Sequence, residues 1–479
     1  MGYDERSAIE GNSMFHDLLR KKPIRHIDPT SHLHRSLNAI DLILMGIGAI
    51  IGAGVFVLTG VAAATKAGPA IVVSYMIAGF ASMFAAFAYA ELAASIGGTG
   101  SAYSYAYAGF GEFIAWVIGW DLLLEYSVAV STVAIGWSGY VKNLLTAIHI
   151  DLPIALTTIP TEGGWINLPA ILIIVLLAAI LSIGVRASAR FNAVIVCIKL
   201  AAIAIFIGVA ATQVHLENWA TFSPFGWEGI MQGAALVFFA YIGFDALSTA
   251  VAETVNPQRN VPIGIIGSLI ICTLIYIIVS ALLTGIVPYS TLNVPSPVAN
   301  ALLSLGFRMA AGFISVGAIA GLTTVMLVMY YGLTRICLAM AQDGLLPSPI
   351  AMVNPHTYTP IPTIILTGII MASIAAGFVP INRAAELVNI GTLAAFTFVC
   401  SGALILRIRY PELPRPFKTP LFPLLPILGI ISCLYLMINL PIFTWVRFIV
   451  WFLIGLVVYF SYSRQHSRLK KEKQVQSIQ

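Results

Sequence analysis

Two long apolar segments are interrupted by residues that weaken a helix. The first interruption, residues 46–56 (GIGAIIGAGVF), places four glycines within nine residues. About 190 residues later, residues 238–245 (FFAYIGFD) interrupt another segment with glycine and aspartate. A backbone in lipid cannot leave its N–H and C=O groups unpaired, because each costs several kcal/mol. Weak points in corresponding helices of two halves therefore predict a ligand site near the membrane midplane.

The first break has two interpretations. Gly48 and Gly52 are four residues apart, a spacing that is common where membrane helices pack closely. Alternatively, an unwound turn directs its freed N–H groups at an anion, and the helix dipole adds to the attraction. A dinucleotide-binding loop is excluded, because no strand precedes the glycines and they do not follow the GxGxxG spacing.

The second break offers the opposite chemistry. Unwound backbone at Phe239, Ala240 and Ile242 would present carbonyl oxygens to a cation such as an ammonium group. N–H groups on one side and carbonyls on the other suit a zwitterion, and the α-carboxylate and α-amine of an amino acid meet both requirements. Phe239 would cover the site, or it would pack against lipid or in the core. Asp245 would be a structural cap or a contributor to transport.

Lys199 lies about two turns into the fifth apolar segment, with no local partner in sequence. An ionisable group inside a membrane is costly and indicates function by default. We expect its partner on another helix, where the ammonium would replace a bound sodium ion and exchange a proton. The alternative is a lysine that extends to the cytoplasmic interface.

Two acidic residues of the third segment, Asp121 and Glu125, are four apart and share a helical face. They would share a proton, bind a cation, or pair with basic residues of neighbouring helices. Glu125 is nearer mid-span, and we predict that it lines the pocket. Glu91, at the inner end of the second segment, is predicted to be a gate or cap residue.

The elements that position these residues are membrane helices, because 59% of the 479 residues are hydrophobic and 9% are charged. A soluble chain carries about 25% charged residues, and a span needs roughly 20 apolar ones. We predict twelve spans, at residues 39–64, 70–92, 102–128, 167–185, 191–213, 228–251, 262–287, 310–334, 361–380, 384–406, 421–441 and 445–462.

Basic residues set the predicted orientation. With both termini inside, nineteen of the 25 Lys and Arg residues lie in cytoplasmic segments and five in outer loops, while Lys199 is within a span. We expect a cytoplasmic tail (1–38), two five-helix repeats (39–213 and 228–406), two appended helices (421–462) and a basic cytoplasmic tail (463–479) that contacts anionic lipid. No cleaved signal peptide is evident, and Met1–Ser13 is hypothesised to be an addition or an alternative start.

Other functional classes find little support in the sequence. The five cysteines lie inside apolar segments without a CxxC spacing, and the histidines lack metal-ligand spacing, so neither disulfides nor a metal site is predicted. No nucleophile and base form a catalytic constellation, and the net charge of +5 does not require nucleic acid.

Five motifs together resemble the amino acid–polyamine–organocation superfamily, and most closely the bacterial branch of the cationic amino acid transporter family. They are residues 48–56 (GAIIGAGVF), 100–105 (GSAYSY), 239–245 (FAYIGFD), 253–265 (ETVNPQRNVPIGI) and 341–347 (AQDGLLP). The resemblance covers residues 21 to about 463. It implies an all-α membrane fold with a 5+5 inverted repeat, discontinuous helices 1 and 6, and two C-terminal helices.

The resemblance also implies roles for individual residues. Matched positions give a carboxylate-binding turn (Ile50, Gly52, Ala53, Gly54), an amine-binding turn with Phe239 as outer gate (Phe239, Ala240, Ile242), two selectivity positions (Glu125, Met329) and a proton-coupling lysine (Lys199). Many relatives have Ser or Thr where this chain has Ala53. Carboxylate binding should therefore depend on backbone N–H groups.

These observations predict a proton-coupled L-amino acid importer of the inner or plasma membrane that works by alternating access without a cofactor. We favour small neutral amino acids, with arginine or lysine as the alternative substrates. An amino acid exchanger is a second possibility. A membrane amino acid sensor is a third, although this chain lacks a long signalling domain. An enzyme is not expected.

Overall fold

The computed structural model of this chain describes residues 20–21, 37–96, 101–147, 149–150, 152–158, 163–183, 188–355, 357, 359–376 and 381–470. Over these ranges the chain is all-helical, without a β-strand and with an isolated bridge between Leu37 and Thr254. Most of the predicted tails, the hypothesis on Met1–Ser13, and Gly100 at the start of the 100–105 motif lie outside the described residues.

The α-helices of eight residues or more are numbered in chain order. They are α1 (Ala39–Ile50), α2 (Ile71–Ser95), α3 (Ala102–Gly109), α4 (Glu112–Ala147), α5 (Leu168–Ile183), α6 (Ser188–Ala210), α7 (Gly226–Val237), α8 (Pro257–Ile286), α9 (Pro297–Ser304), α10 (Arg308–Gln342), α11 (Ile361–Ala375), α12 (Ile381–Arg409), α13 (Leu424–Ile438) and α14 (Ile442–Val458). The remaining helical segments are short α-helices and 3₁₀- or π-helical turns, at Gly54–Leu58, Thr59–Ala62, Ala63–Ala67, Gly68–Ala70, Ile154–Leu156, Leu216–Trp219, Phe238–Tyr241, Phe244–Glu253, Tyr289–Thr291, Ser348–Ala351, Tyr459–Ser463 and Arg464–His466.

Within the described residues, eight helical stretches are long and apolar enough to cross a membrane. They are Ala39–Ser95, Glu112–Thr146, Ala193–Ala210, Gly226–Val251, Pro257–Ile286, Arg308–Gln342, Arg383–Arg409 and Ile442–Lys470. Three shorter apolar helices accompany them, namely α5, α11 and α13. The protein is therefore a multi-pass membrane protein, as the composition predicted.

The stretch Ala39–Ser95 folds back on itself. Thr59 Oγ1 and Tyr75 Oη are 2.6 Å apart, although the two residues are sixteen positions apart. In a straight helix that separation would be about 24 Å. The reversal occurs at Gly68 and Pro69, where Gly68 has a φ of +62°.

The predicted boundaries of the third span, 102–128, are wrong. α3 ends at Gly109, and α4 starts at Glu112 and continues to Ala147. Gly111 has a φ of +111°, outside the helical region, so the two helices cannot be continuous. The hydrophobic pattern continues through this point, and for that reason it did not reveal the interruption.

The long helices surround the two interrupted ones. α8 packs against α1 and α2, while α10 packs against α4 and α6. α1 also contacts α6. This arrangement encloses the end of α1 among α6, α8 and α10.

Glu91 ties the inner end of α2 to the segment after α12. Its Oε2 accepts a hydrogen bond from Arg407 Nη2 at 2.8 Å and another from the Thr419 backbone N–H at 2.8 Å. Arg415 Nε lies 3.5 Å from Glu91 Oε1. Glu91 therefore anchors the linker that precedes α13, and its role as a gate or cap residue stays a prediction.

Candidate ligand-binding site

The helix that begins with α1 is interrupted where the sequence predicted. α1 ends at Ile50, the next residue, Ile51, has an extended backbone (φ −74°, ψ 103°), and helical turns resume at Gly54. The last carbonyls of one helix and the first N–H groups of the next have no partners within their own helix. Residues 50–54 therefore bring backbone groups that lack a full set of partners in their own helices into the protein interior.

The second interruption follows α7. Ile242 is extended (ψ 139°), and Gly243 has a φ of +117°, a conformation that side chains disfavour. Asp245 stabilises this turn, because its Oδ1 accepts from the Gly243 N–H at 3.3 Å and its Oδ2 from Tyr126 Oη at 2.5 Å. Its observed contacts are those of a structural cap and pairing partner.

The two interruptions lie against each other. A Cβ placed on Gly54 would overlap the Cα and Cβ of Ala240. A Cβ placed on Gly243 would lie 2.8 Å from the carbonyl oxygen of Ala49. The backbones approach this closely because glycine has no side chain at either position.

A small cavity lies between the two turns. Its lining residues are Ala49, Ile50, Gly52, Ala53, Gly54, Val133, Phe239, Ile242, Val325 and Met329. Its free volume is about 10 Å³, which is room for about one water molecule. The structure is therefore a closed conformation of this site, and a larger ligand requires the walls to move.

Most of the residues predicted to bind substrate come together here. Ile50, Gly52, Ala53, Gly54, Phe239, Ile242 and Met329 all line the cavity. Ala240 lies behind Gly54, in contact with it, and does not line the cavity. Phe239 is buried and is a wall of the cavity rather than a lipid-facing side chain.

Glu125 does not line the cavity, contrary to the pocket position predicted from the sequence. It lies on α4 eight residues before Val133, which does line it, so about 12 Å separates them along the helix. Glu125 is buried near Asp121 and Asp245, and Thr392 is close to its carboxyl group. Helical periodicity predicted that Asp121 and Glu125 share a face of α4, but it could not predict how far that part of α4 lies from the two interruptions.

Lys199 reaches the end of α1 from α6. Its Nζ donates to the carbonyl oxygens of Gly48 at 2.8 Å and Ile51 at 2.9 Å. The side chain is fully buried, so it does not extend to the membrane interface. The negative end of the α1 dipole favours a cation at this position. The prediction of a partner on another helix is thus confirmed, and the partners are two main-chain carbonyl groups at the end of α1.

Three tyrosines that were not predicted from the sequence contact carbonyl groups of the broken segments. Tyr276 Oη on α8 is 2.8 Å from both the Ile50 and the Ala240 carbonyl oxygens. The hydroxyl has one proton, so it donates to one of these carbonyls at a time. Tyr75 Oη contacts the Gly54 carbonyl at 3.1 Å, and Tyr140 Oη contacts that of Phe56 at 2.7 Å. No sequence pattern distinguishes these tyrosines from other aromatic residues of apolar helices.

The chain is similar to known permeases and transporters. The sequence profile of the amino acid permease family matches residues 37–462. The methylthioribose transporter of Bacillus subtilis is 50% identical over 459 residues, which cover 95% of this chain and 99% of the relative. The branched-chain amino acid permease BcaP of the same organism is 46% identical over 463 residues, with coverage of 95% and 99%.

A more distant relative is the vacuolar cationic amino acid transporter 4 of Arabidopsis thaliana. It is 36% identical over 408 residues, which cover 82% of this chain and 68% of the relative. The relatives that match at this identity and coverage are named as transporters and permeases, so the chain is not an enzyme. The chain therefore belongs to the amino acid permease family of the amino acid–polyamine–organocation superfamily, as its motifs predicted.

Proposed function

We propose that this protein is a proton-coupled importer of L-amino acids, favours small neutral substrates and works by alternating access. The observation that carries the proposal is the contact between two interrupted helices around one cavity. The turn at residues 52–54 would bind the α-carboxylate through backbone N–H groups, and the turn at residues 239–242 would bind the α-amine through carbonyls.

The lining of the cavity favours an uncharged side chain. Val133, Val325 and Met329 are apolar, and the acidic Glu125 is not among the lining residues. A guanidinium or ammonium in this cavity would be desolvated without an acidic partner, at a cost of several kcal/mol. A preference for neutral substrates is supported further by the relative that is named as a branched-chain amino acid permease.

Lys199 supports proton coupling. Its ammonium contacts two carbonyls at the end of α1, where a sodium ion would otherwise find oxygen ligands. Release of the proton would weaken both hydrogen bonds and free the end of α1 to move. Proton binding and the position of the first interrupted helix would thereby be linked.

We also propose that the chain crosses the inner or plasma membrane twelve times and that both of its termini lie in the cytoplasm. Eight stretches and three shorter helices give eleven crossings, and the reversal of Ala39–Ser95 at Gly68 supplies one more. The excess of basic residues on the predicted cytoplasmic side supports this orientation.

The test is uptake into proteoliposomes of each proteinogenic amino acid, with and without an acidic exterior. We expect accumulation of small neutral amino acids that the pH gradient increases. Uptake only into vesicles preloaded with another amino acid would identify an exchanger. Preferential uptake of arginine or lysine would overturn the selectivity argument. Binding without uptake would identify a sensor.

A second candidate substrate is methylthioribose, because the relative named for its transport is 50% identical. This sugar thioether has neither a carboxylate nor an ammonium group, so it would not use the opposed dipoles. Radiolabelled methylthioribose belongs in the same uptake series. Its accumulation without competition from any amino acid would replace the amino acid proposal.

A further inference from the structure

A second, larger cavity has a lining residue that lies about one helical turn along the chain from a wall of the closed one. Its volume is about 360 Å³, which is in the range of small-molecule sites. Its lining residues are Lys66, Glu228, Gln232, Leu236, Glu386, Ile438, Asn439, Leu440 and Pro441. Leu236 precedes Phe239, a wall of the closed cavity, by three residues.

Opposite charges face this cavity without contacting each other. Lys66 Nζ donates to Gln232 Oε1 at 3.1 Å, and Gln232 Nε2 donates to Glu228 Oε1 at 3.0 Å. Within the described residues, neither Lys66 nor Glu228 has an ion-pair partner within 4 Å. The neutral amide of Gln232 therefore separates an ammonium and a carboxylate that both keep unused hydrogen-bonding capacity.

A second carboxylate contributes from α12. Glu386 Oε2 accepts from Thr444 Oγ1 at 3.2 Å, and the charges of Lys66, Arg383 and Arg447 are close to it. The cavity thus has basic and acidic groups together with two side-chain amides, Gln232 and Asn439. Such a set can bind a carboxylate and an ammonium at the same time.

The cavity borders both interrupted helices beyond their breaks. Lys66 lies in the last turn of the helical run that restarts at Gly54, and Glu228 and Gln232 belong to α7, which precedes the second break. Asn389 Nδ2 on α12 donates to the carbonyls of Ala235 at 2.7 Å and Leu236 at 3.0 Å, which holds the end of α7. Displacement of either the helical run that restarts at Gly54 or α7 would therefore change the shape of both cavities.

We propose that this cavity is a second binding site for a zwitterionic α-amino acid, where external substrate waits before the closed site opens. This inference rests on the proposed function. Lys66 binds the α-carboxylate, and Glu228 with Glu386 binds the α-amine. In the proposed orientation the site faces the exterior, because Lys66 lies in a predicted outer loop.

The test compares the two directions of transport, with radiolabelled L-alanine and L-valine as probes. Uptake is measured into intact cells, which expose the outer face, and into inverted membrane vesicles, which expose the inner face. We expect the double variant Lys66→Met/Glu228→Gln to raise the KM in cells about tenfold, which is the loss of a modest charged contact. Vmax in cells and the KM in inverted vesicles should stay at wild-type values.

The matched control is Lys142→Met, which removes a lysine of a predicted outer segment that does not line the cavity. It should leave both KM values unchanged. Equal KM changes in both directions for the double variant would indicate general structural damage and overturn the proposal. An unchanged KM in cells would also overturn the proposal. A change in KM that requires phosphatidylethanolamine in the bilayer would overturn it as well, because that result would assign the cavity to a lipid headgroup.

Binding stoichiometry provides an independent measurement on purified protein. We expect two L-alanine or L-valine molecules per wild-type chain, one for Gly54→Val and one for Lys66→Met/Glu228→Gln. A single molecule per wild-type chain would refute the second site while the proposed function stands. A wild-type protein that takes up neither probe would instead refute the proposed function.

Discussion

Substitution of Gly54 by alanine should weaken substrate binding, because the space for a Cβ is already filled. The added methyl would overlap the Cα and Cβ of Ala240 and lie 3.1 Å from its backbone nitrogen. A main chain cannot rotate away as a side chain can, so the two interrupted segments must separate. Overpacking of this kind costs about 1–3 kcal/mol. If the bound state carries the whole cost, affinity falls roughly 5- to 150-fold.

The assay is equilibrium binding of radiolabelled L-alanine to purified protein, with Gly312→Ala as the matched control. A Cβ at Gly312 meets nothing within 4 Å, so the same change there should leave affinity unaltered. The compensating variant Gly54→Ala/Ala240→Gly removes one of the two overlapping atoms and should restore part of the affinity. Wild-type affinity in Gly54→Ala would refute the close approach of the two segments in the bound state.

Three further outcomes follow from the contacts. Lys199→Ala should abolish accumulation driven by a pH gradient while the protein still folds, because the hydrogen bonds to Gly48 and Ile51 are lost; normal accumulation would remove Lys199 from the coupling mechanism. Tyr276→Phe should raise KM a few-fold, since one hydroxyl hydrogen bond contributes about 0.5–1.5 kcal/mol; an unchanged KM would show that the bridge is dispensable. Glu91→Ala should destabilise the protein by about 3–5 kcal/mol, because it leaves Arg407 without its buried partner, and thermal unfolding in detergent that matches wild type would contradict this.

The two interruptions could be predicted because their causes are local. The glycines of residues 46–54 and the Gly243–Asp245 pair disfavour a regular helix whatever surrounds them. The partner of Lys199 could be predicted only as another helix. Which carbonyls it contacts depends on how α6 packs against α1, and one sequence does not contain that information.

Other parts of the site depend on tertiary packing. Glu125 shares a helical face with Asp121, but its distance from the cavity depends on how α4 sits relative to the breaks. Tyr276 and Tyr75 act on backbone groups of distant segments, and Tyr276 is 226 residues from Ile50. The division between α3 and α4 was missed because apolar residues on both sides of Gly111 continue the membrane pattern.

Competition for uptake tests most directly whether the interrupted helices bind both ends of a zwitterion. Proteoliposomes take up radiolabelled L-alanine in the presence of unlabelled L-alanine, L-alanine methyl ester or N-acetyl-L-alanine. The ester lacks the carboxylate, and the acetylated compound lacks the ammonium. We predict that L-alanine competes and that both derivatives fail to do so. Competition by either derivative at the strength of L-alanine itself would contradict the paired-dipole account.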